Sequence, residues 1–238
     1  MTGKVAKDRG WKAKLRRRID RLRHVVYWRR TELILDGSIP PRSAKPGALQ
    51  LYRIEPHHHA VLGELNPEDA RKFSIYLRNG YQGFLAFVGE RPIGHIWFVD
   101  NQVSPERAHP AIERYRLQLG AGDVYLFELL ILPDARGHGV ANTFLGSVLA
   151  ELRAHGYRRA YGCVAPDNTP ARWTYQVFRF ETVDSHVSHR FLDLVLWDDG
   201  RLYVHPVLYA LLHPAQRSRT FDFMPLFSTP AASRVAAR

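Results

Sequence analysis

A strongly apolar run from Val124 to Leu132 stops at Pro133 and gives way to Asp134-Ala135-Arg136-Gly137-His138-Gly139-Val140-Ala141-Asn142. An apolar strand that breaks into a glycine-rich turn and then opens a helix is the build of an anion cradle. Glycines at 137 and 139 carry no Cβ, so backbone N–H groups can close on a phosphate, and the helix that begins there adds the positive end of its dipole. A pyrophosphate can be held in this way without a metal. A P-loop is excluded, because the Gly-Lys-Ser/Thr ending is missing. A dinucleotide-binding unit fits poorly: the full G-x-G-x-x-G/A pattern is absent, and the upstream strands read as a hairpin and not as βαβ units.

The surrounding pattern is mixed. Leu49 to Ile54 reads as a strand and Pro67 to Leu77 as a helix capped by Asn66. Gly83 to Gly89 and Ile93 to Asp100 flank Glu90-Arg91-Pro92 as a hairpin. An Arg/Glu-rich insertion covers 101–121, and Asp123 to Pro133 is the long apolar strand. After the turn come a helix to His155, a strand from Arg158 to Val164, a helix from Thr169 to Phe178 and β-rich sequence from Glu181 to Trp197. Leu202 to Leu212 is ambiguous between strand and helix. The expected class is α/β of the mixed α+β kind, a mostly antiparallel splayed sheet flanked by helices.

The net charge of +11 is local. Twelve Lys and Arg lie between Lys4 and Arg30 against Asp8 and Asp20, and the rest of the chain is almost balanced, with 22 basic and 21 acidic residues. Trp11, Leu15, Ile19, Leu22 and Val26 recur every three or four residues, so this arm reads as a basic amphipathic helix. Its partner is an anionic membrane, RNA phosphates or the protein's own domain, with Trp11, Tyr27 and Trp28 slightly favouring the membrane interface. A Pro/Gly/Ser-rich connector at 37–48 sets the boundaries: an arm at 1–36, a catalytic domain at 49–212 and a tail at 213–238. No run reaches the roughly 18 apolar residues of a membrane span, nor is there an apolar signal-peptide core, so cytoplasmic residence is expected, with the inner face of the membrane as the alternative. The single cysteine, Cys163, rules out an internal disulfide and reads as a buried inert thiol. His57-His58-His59 reads as a surface cluster and not as a metal site.

Two motifs carry a resemblance. Arg136-x-x-Gly139-x-Ala141 resembles the acetyl-CoA signature of the GNAT N-acetyltransferase superfamily, and Asn168-x-x-Ala171-x-x-x-Tyr175-x-x-x-Arg179-Phe180 resembles a second segment of that family. They occur in the family's order and separation. Arg179 stands where the family has glycine, so the turn leaving the helix is expected to manage without an easy positive φ. The resemblance covers about residues 49 to 197. It implies acetyl-CoA or another acyl-CoA as co-substrate and no metal. Backbone groups of Leu129, Leu130 and Ile131 would pair with pantetheine, and the amides of Arg136, Gly137, His138, Gly139, Val140 and Ala141 would hold the pyrophosphate. Asn168 and Arg172 would line the cofactor's other flank.

The implied activity is acyl transfer to a primary amine by direct attack on the thioester. That reaction needs a deprotonated nucleophile, a polarised carbonyl and a proton for the leaving thiolate. Tyr175 is the expected acid. Glu128, a lone carboxylate in an apolar strand, is the expected base, because burying it without a task or a partner is costly. His95 reads as a strand histidine able to orient a water; His186 and His189 are acceptor-side candidates. The alternative is a GNAT-like module that binds acyl-CoA without turnover. The acceptor is an amine of unspecified identity, and a homodimer is admitted.

Overall fold

In a computed structural model, residues 27–40, 49–65, 70–191, 194–197, 200–204 and 224–225 are described. The basic segment from Lys4 through Val26, the Asn66 cap, most of the connector and most of the tail lie outside them. The chain divides into two compact units, Glu32–His186 and the residues before and after it.

The larger unit is built on a mixed sheet. Its strands are β1 (Tyr27–Ser38, from Glu32 onward), β2 (Leu49–Arg53), β3 (Gln82–Val88), β4 (Arg91–Asp100), β5 (Asp123–Ile131), β6 (Arg159–Val164) and the opening residues of β7 (Glu181–Phe191). The strand order is β7, β1, β6, β5, β4, β3, β2. β1–β6, β2–β3, β3–β4 and β4–β5 pair antiparallel, and β5–β6 pair parallel. The helices are α1 (His59–Leu65), α2 (Ala70–Asn79), α3 (Pro110–Arg114), α4 (Val140–Ala154) and α5 (Thr169–Val177). In the other unit β7 continues into a hairpin with β8 (Leu194–Trp197), followed by β9 (Leu202–Val204) and β10 (Met224–Pro225), each antiparallel to its predecessor.

β1 corrects the sequence reading. The helical arm expected to run to residue 36 is a strand from Tyr27, and its Glu32–Ser38 portion belongs to the domain that was expected to start at 49. Residues 32 to 36 alternate: Leu33 and Leu35 pack on the core, while Glu32, Ile34 and Asp36 point to the opposite face. That period of two fits a strand, and pairing with β6 from Leu33↔Val164 to Ser38↔Arg159 fixes it.

Helices α4 and α5 cover one face. Phe144, Leu145, Val148, Leu149 and Leu152 form one stripe of α4 and are at most 1% exposed, each contributing roughly 1.5–3 kcal/mol of burial. They pack on Val124 and Leu126 of β5 and Ala160 of β6. On the opposite face, Phe73 and Tyr76 of α2 pack against Trp97 of β4, and Tyr76 meets Phe127 of β5 edge-on.

Candidate active site

The site begins where two parallel strands part. β5 and β6 pair only from Asp123↔Arg159 to Tyr125↔Tyr161, although β5 runs on to Ile131 and β6 to Val164. On its other side β5 stays paired with β4 through His95↔Leu130 and Gly94↔Ile131. Among the described residues, the β6-facing edge of β5 beyond Tyr125 is thus left without a ladder partner. Leu129, Leu130 and Ile131 supply that open edge, which suits an extended amide-bearing ligand that adds itself like a strand.

Within this stretch β5 carries a bulge. Between His95↔Leu130 and Trp97↔Phe127, three steps of β5 oppose two of β4, and Glu128 takes a left-handed φ of 49°. A bulge turns the strand and redirects a side chain. Glu128 swings toward α2, where its Oε1 accepts a hydrogen bond from the Tyr76 hydroxyl at 2.8 Å and lies 3.3 Å from Lys72 Nζ. The carboxylate expected to be a lone base is therefore an ion-paired one. Lys72 and Tyr76, four apart on one helix face, were not singled out in the sequence.

Beyond the open edge lies the glycine turn. Gly137, His138 and Gly139 have φ of 99°, 48° and 75°, so the turn needs three successive left-handed residues. Glycine takes that conformation without the roughly 1–2 kcal/mol that His138 must meet. The Arg136 amide donates to Pro133 and that of Val140 to Gly137, so these two are engaged inside the turn. The first helical bond runs from Thr143 to Gly139, which leaves Ala141 and Asn142 in the initial turn without an intrahelical acceptor. The Arg136 side chain folds back, its Nε donating to the Ile131 carbonyl at 3.0 Å, and so ties the turn to the end of β5.

The second motif forms α5 as expected. The Asn168 side chain accepts from the Ala171 amide at 3.2 Å, the N-cap that the spacing implies. Arg172 does structural duty: it donates to the Pro166 carbonyl at 2.9 Å and pins the loop before the helix. Arg179 takes the positive φ that the missing glycine makes costly. It adopts a φ of 61°, while its amide and that of Phe180 return to Gln176 and Tyr175. The turn is left-handed without a glycine.

Tyr175 is 5% exposed and stacks edge-on with Phe180 at 5.1 Å. Its ring lies over Gly162, where an added Cβ would come within 3.2 Å of Cε1, Cζ and the hydroxyl. Gly162 follows Tyr161, the last residue paired with β5, so the phenol stands at the start of the opening. Burial, with Cys163 nearby, pushes its pKa above the ordinary phenol value. Tyr175 reaches the opening from the α4–α5 face and Glu128 projects on the α2 side.

A further polar group, unforeseen in the sequence, faces away from α4. Glu32 of β1 is 6% exposed and accepts from the Tyr115 hydroxyl at 2.5 Å; Cys163 Sγ lies 3.4 Å from that same oxygen. Tyr125 is buried beside them, and desolvation, then Cys163, Glu32 and Tyr175, push its pKa well up. His186 sits 3.2 Å from Asp184 with its ring 5.6 Å from Tyr115. His189 belongs to the other unit. His95 is 1% exposed, packed edge-on to Phe73 in the core. His58 Nδ1 accepts from the Glu55 amide and His57 lies 3.3 Å from Glu55, so the histidine run caps a short 3-10 turn.

A mixed sheet parted beside one strand, with a glycine turn closing the end of the parting, is the architecture of acyl-CoA-dependent acyltransferases. Residues 48–180, more than half of the chain, match the acetyltransferase (GNAT) family, and the chain belongs to that family. A search of curated proteins gives no match. Among solved structures it is similar to a Staphylococcus epidermidis protein described as functionally unknown, with TM-score 0.51, 10% identity and coverage of 72% of this chain and 64% of that one. It is also similar to a fungal GCN5-related glucosamine N-acetyltransferase region within a multi-domain β-N-acetylglucosaminidase, with TM-score 0.52, 15% identity and coverage of 67% and 21%. The chain thus spans less than two thirds of either relative, and at these identities the likeness concerns the fold.

Proposed function

We propose that the protein is an acyl-CoA-dependent N-acyltransferase, with acetyl-CoA the expected donor, that acylates a primary amine by direct attack on the thioester. The observation that carries this reading is the one-sided opening of β5 from Leu126 to Ile131, continuous with the glycine turn. Unpaired strand edge suits the donor's pantetheine amides, and the amides of Gly137, His138, Gly139, Ala141 and Asn142 suit its pyrophosphate. The donor supplies an acyl group already activated as a thioester.

Tyr175 holds a proton at its hydroxyl, and burial keeps it there at neutral pH. That group protonates the departing sulfur. Glu128 attracts the acceptor's ammonium and takes its proton, in competition with Lys72. The buried Glu32–Tyr115 hydrogen bond ties β1, which pairs with β6, to the end of α3. Residues 4–30 supply attachment to an anionic surface, membrane lipid or RNA. Since β1 is part of the domain sheet, that role is tested by reversing charge at Arg16, Arg17 and Arg18 in the full chain, with liposome flotation and RNA binding as readouts.

The reaction is tested by free-thiol release from acetyl-CoA with a panel of primary amines. Amine-dependent thiol release is the expected result. Tight acyl-CoA binding with no turnover across broad acyl and amine panels would leave a binding module.

A further inference from the structure

Lys72 is a primary amine beside the carboxylate assigned above to the acceptor's ammonium. It projects from α2, its Nζ 3.3 Å from Glu128 Oε1, and is 32% exposed. Tyr76, one turn further along the same helix, donates to the same oxygen at 2.8 Å. Both contacts fall on the bulged residue of β5, so the ammonium is one glutamate side chain away from backbone that lines the opening. Four methylenes give the lysine the freedom to reach along that edge, and its ammonium is a group whose proton affinity responds to its surroundings.

We propose that Lys72 is a self-acylation site: with acyl-CoA in the opening, its amine takes the acyl group. This rests on the acyltransferase reading above and adds a modification site to it. The thioester C–S bond breaks and an amide C–N bond forms at Nζ. Two protons leave the ammonium. Glu128 accepts one before attack. The other leaves the new amide nitrogen and, through solvent, restores the proton that Tyr175 gives to the thiolate. The products are N-acyl-Lys72, CoA thiol and one proton released to solvent.

Acylation removes the positive charge that neutralises Glu128. The unmodified chain presents a carboxylate occupied by its own lysine, and the modified chain presents one available to an external ammonium. The chemical class of the acceptor follows: a cationic primary amine that replaces Lys72 on Glu128.

The test incubates the full chain with acetyl-CoA at neutral pH without added amine and follows intact mass and peptide maps. One acetyl group per chain, located on Lys72, is expected, lost in Lys72→Arg and slowed about tenfold or more in Glu128→Gln and Tyr175→Phe. Arginine keeps the charge beside Glu128, so an unchanged melting temperature in Lys72→Arg separates loss of the nucleophile from loss of fold. Scattered acetylation that proceeds equally in heat-denatured protein overturns the inference. So does an unmodified Lys72 in a sample that acetylates added amines, a result that leaves the transferase reading standing. Failure to bind acetyl-CoA at all, measured by calorimetry, overturns both.

Discussion

Replacing Tyr175 by Phe separates a catalytic phenol from a structural one. The ring carries the packing: it lies at van der Waals distance over Gly162, meets Phe180 at 5.1 Å and belongs to the main apolar core. Phenylalanine preserves all of that. Among the described residues no hydrogen bond holds the hydroxyl. Its removal should therefore change stability by less than about 1 kcal/mol, because no partner is stranded. For a domain of this size that is a shift of roughly 2–4 °C or less in the melting temperature. A general acid, by contrast, contributes about 10²–10⁴-fold to rate. The expected result is a fall of at least about 10²-fold in kcat for thiol release, with acetyl-CoA affinity and melting temperature nearly unchanged. The raised pKa adds a sign. The neutral phenol is the active form, so its loss contributes no fall in wild-type activity until pH exceeds the ordinary phenol value of about 10. A variant with kcat within threefold of wild type, or one whose rate falls only in step with unfolding, would refute the role.

Two further substitutions test the frame around the site. Arg179→Gly relieves a left-handed φ of 61°, and after allowance for the extra freedom of glycine in the unfolded chain it should stabilise by up to about 1 kcal/mol, read by chemical denaturation. No gain, or a loss, would show that the arginine side chain outweighs the backbone strain. Tyr157 donates to Asp100 at 2.5 Å, and desolvation followed by this carboxylate raises its pKa to about 12. A raised folded-state pKa means that the stabilisation is complete below pH 10 and is lost as pH climbs from there through about 12. With the partial exposure of the pair discounted, Tyr157→Phe should cost about 1 kcal/mol at pH 8 and flatten the alkaline decline. An unchanged alkaline profile would count against the linkage.

The elements nearest the donor site were readable because their signals are local. A strand stopped by Pro133, glycines three and five residues before Asn142, and an asparagine three residues ahead of Ala171 each dictate backbone geometry within one turn. What escaped was set by contacts between distant segments. Lys72 and Tyr76 meet Glu128 across 56 and 52 residues of sequence, and Tyr115 meets Glu32 across 83. No spacing rule announces such pairs. The bulge at Glu128 escaped for a related reason: a β-bulge is a mismatch between two strands, and Phe127-Glu128-Leu129 alone reads as regular alternation. β1 escaped because the basic segment ahead of it has helical period and the Pro/Gly-rich connector behind it looks like a boundary. Its own Leu33-Ile34-Leu35 is a short continuous apolar run that fits strand or helix, and only the pairing with β6 sorts Leu33 and Leu35 from Ile34. At Arg179 the missing glycine announced only that a positive φ would be costly; two turn hydrogen bonds accompany the left-handed arginine.

The proposed donor site runs along the open edge of β5 and ends on the glycine turn. Hydrogen exchange of the full chain, with and without saturating CoA, tests it directly. Added protection is expected at the amides of Leu129 to Ile131 and of Gly137 to Asn142, with the β2–β3 edge unchanged. Protection confined to β2 and β3, or CoA binding that leaves both predicted segments unaffected, would contradict it.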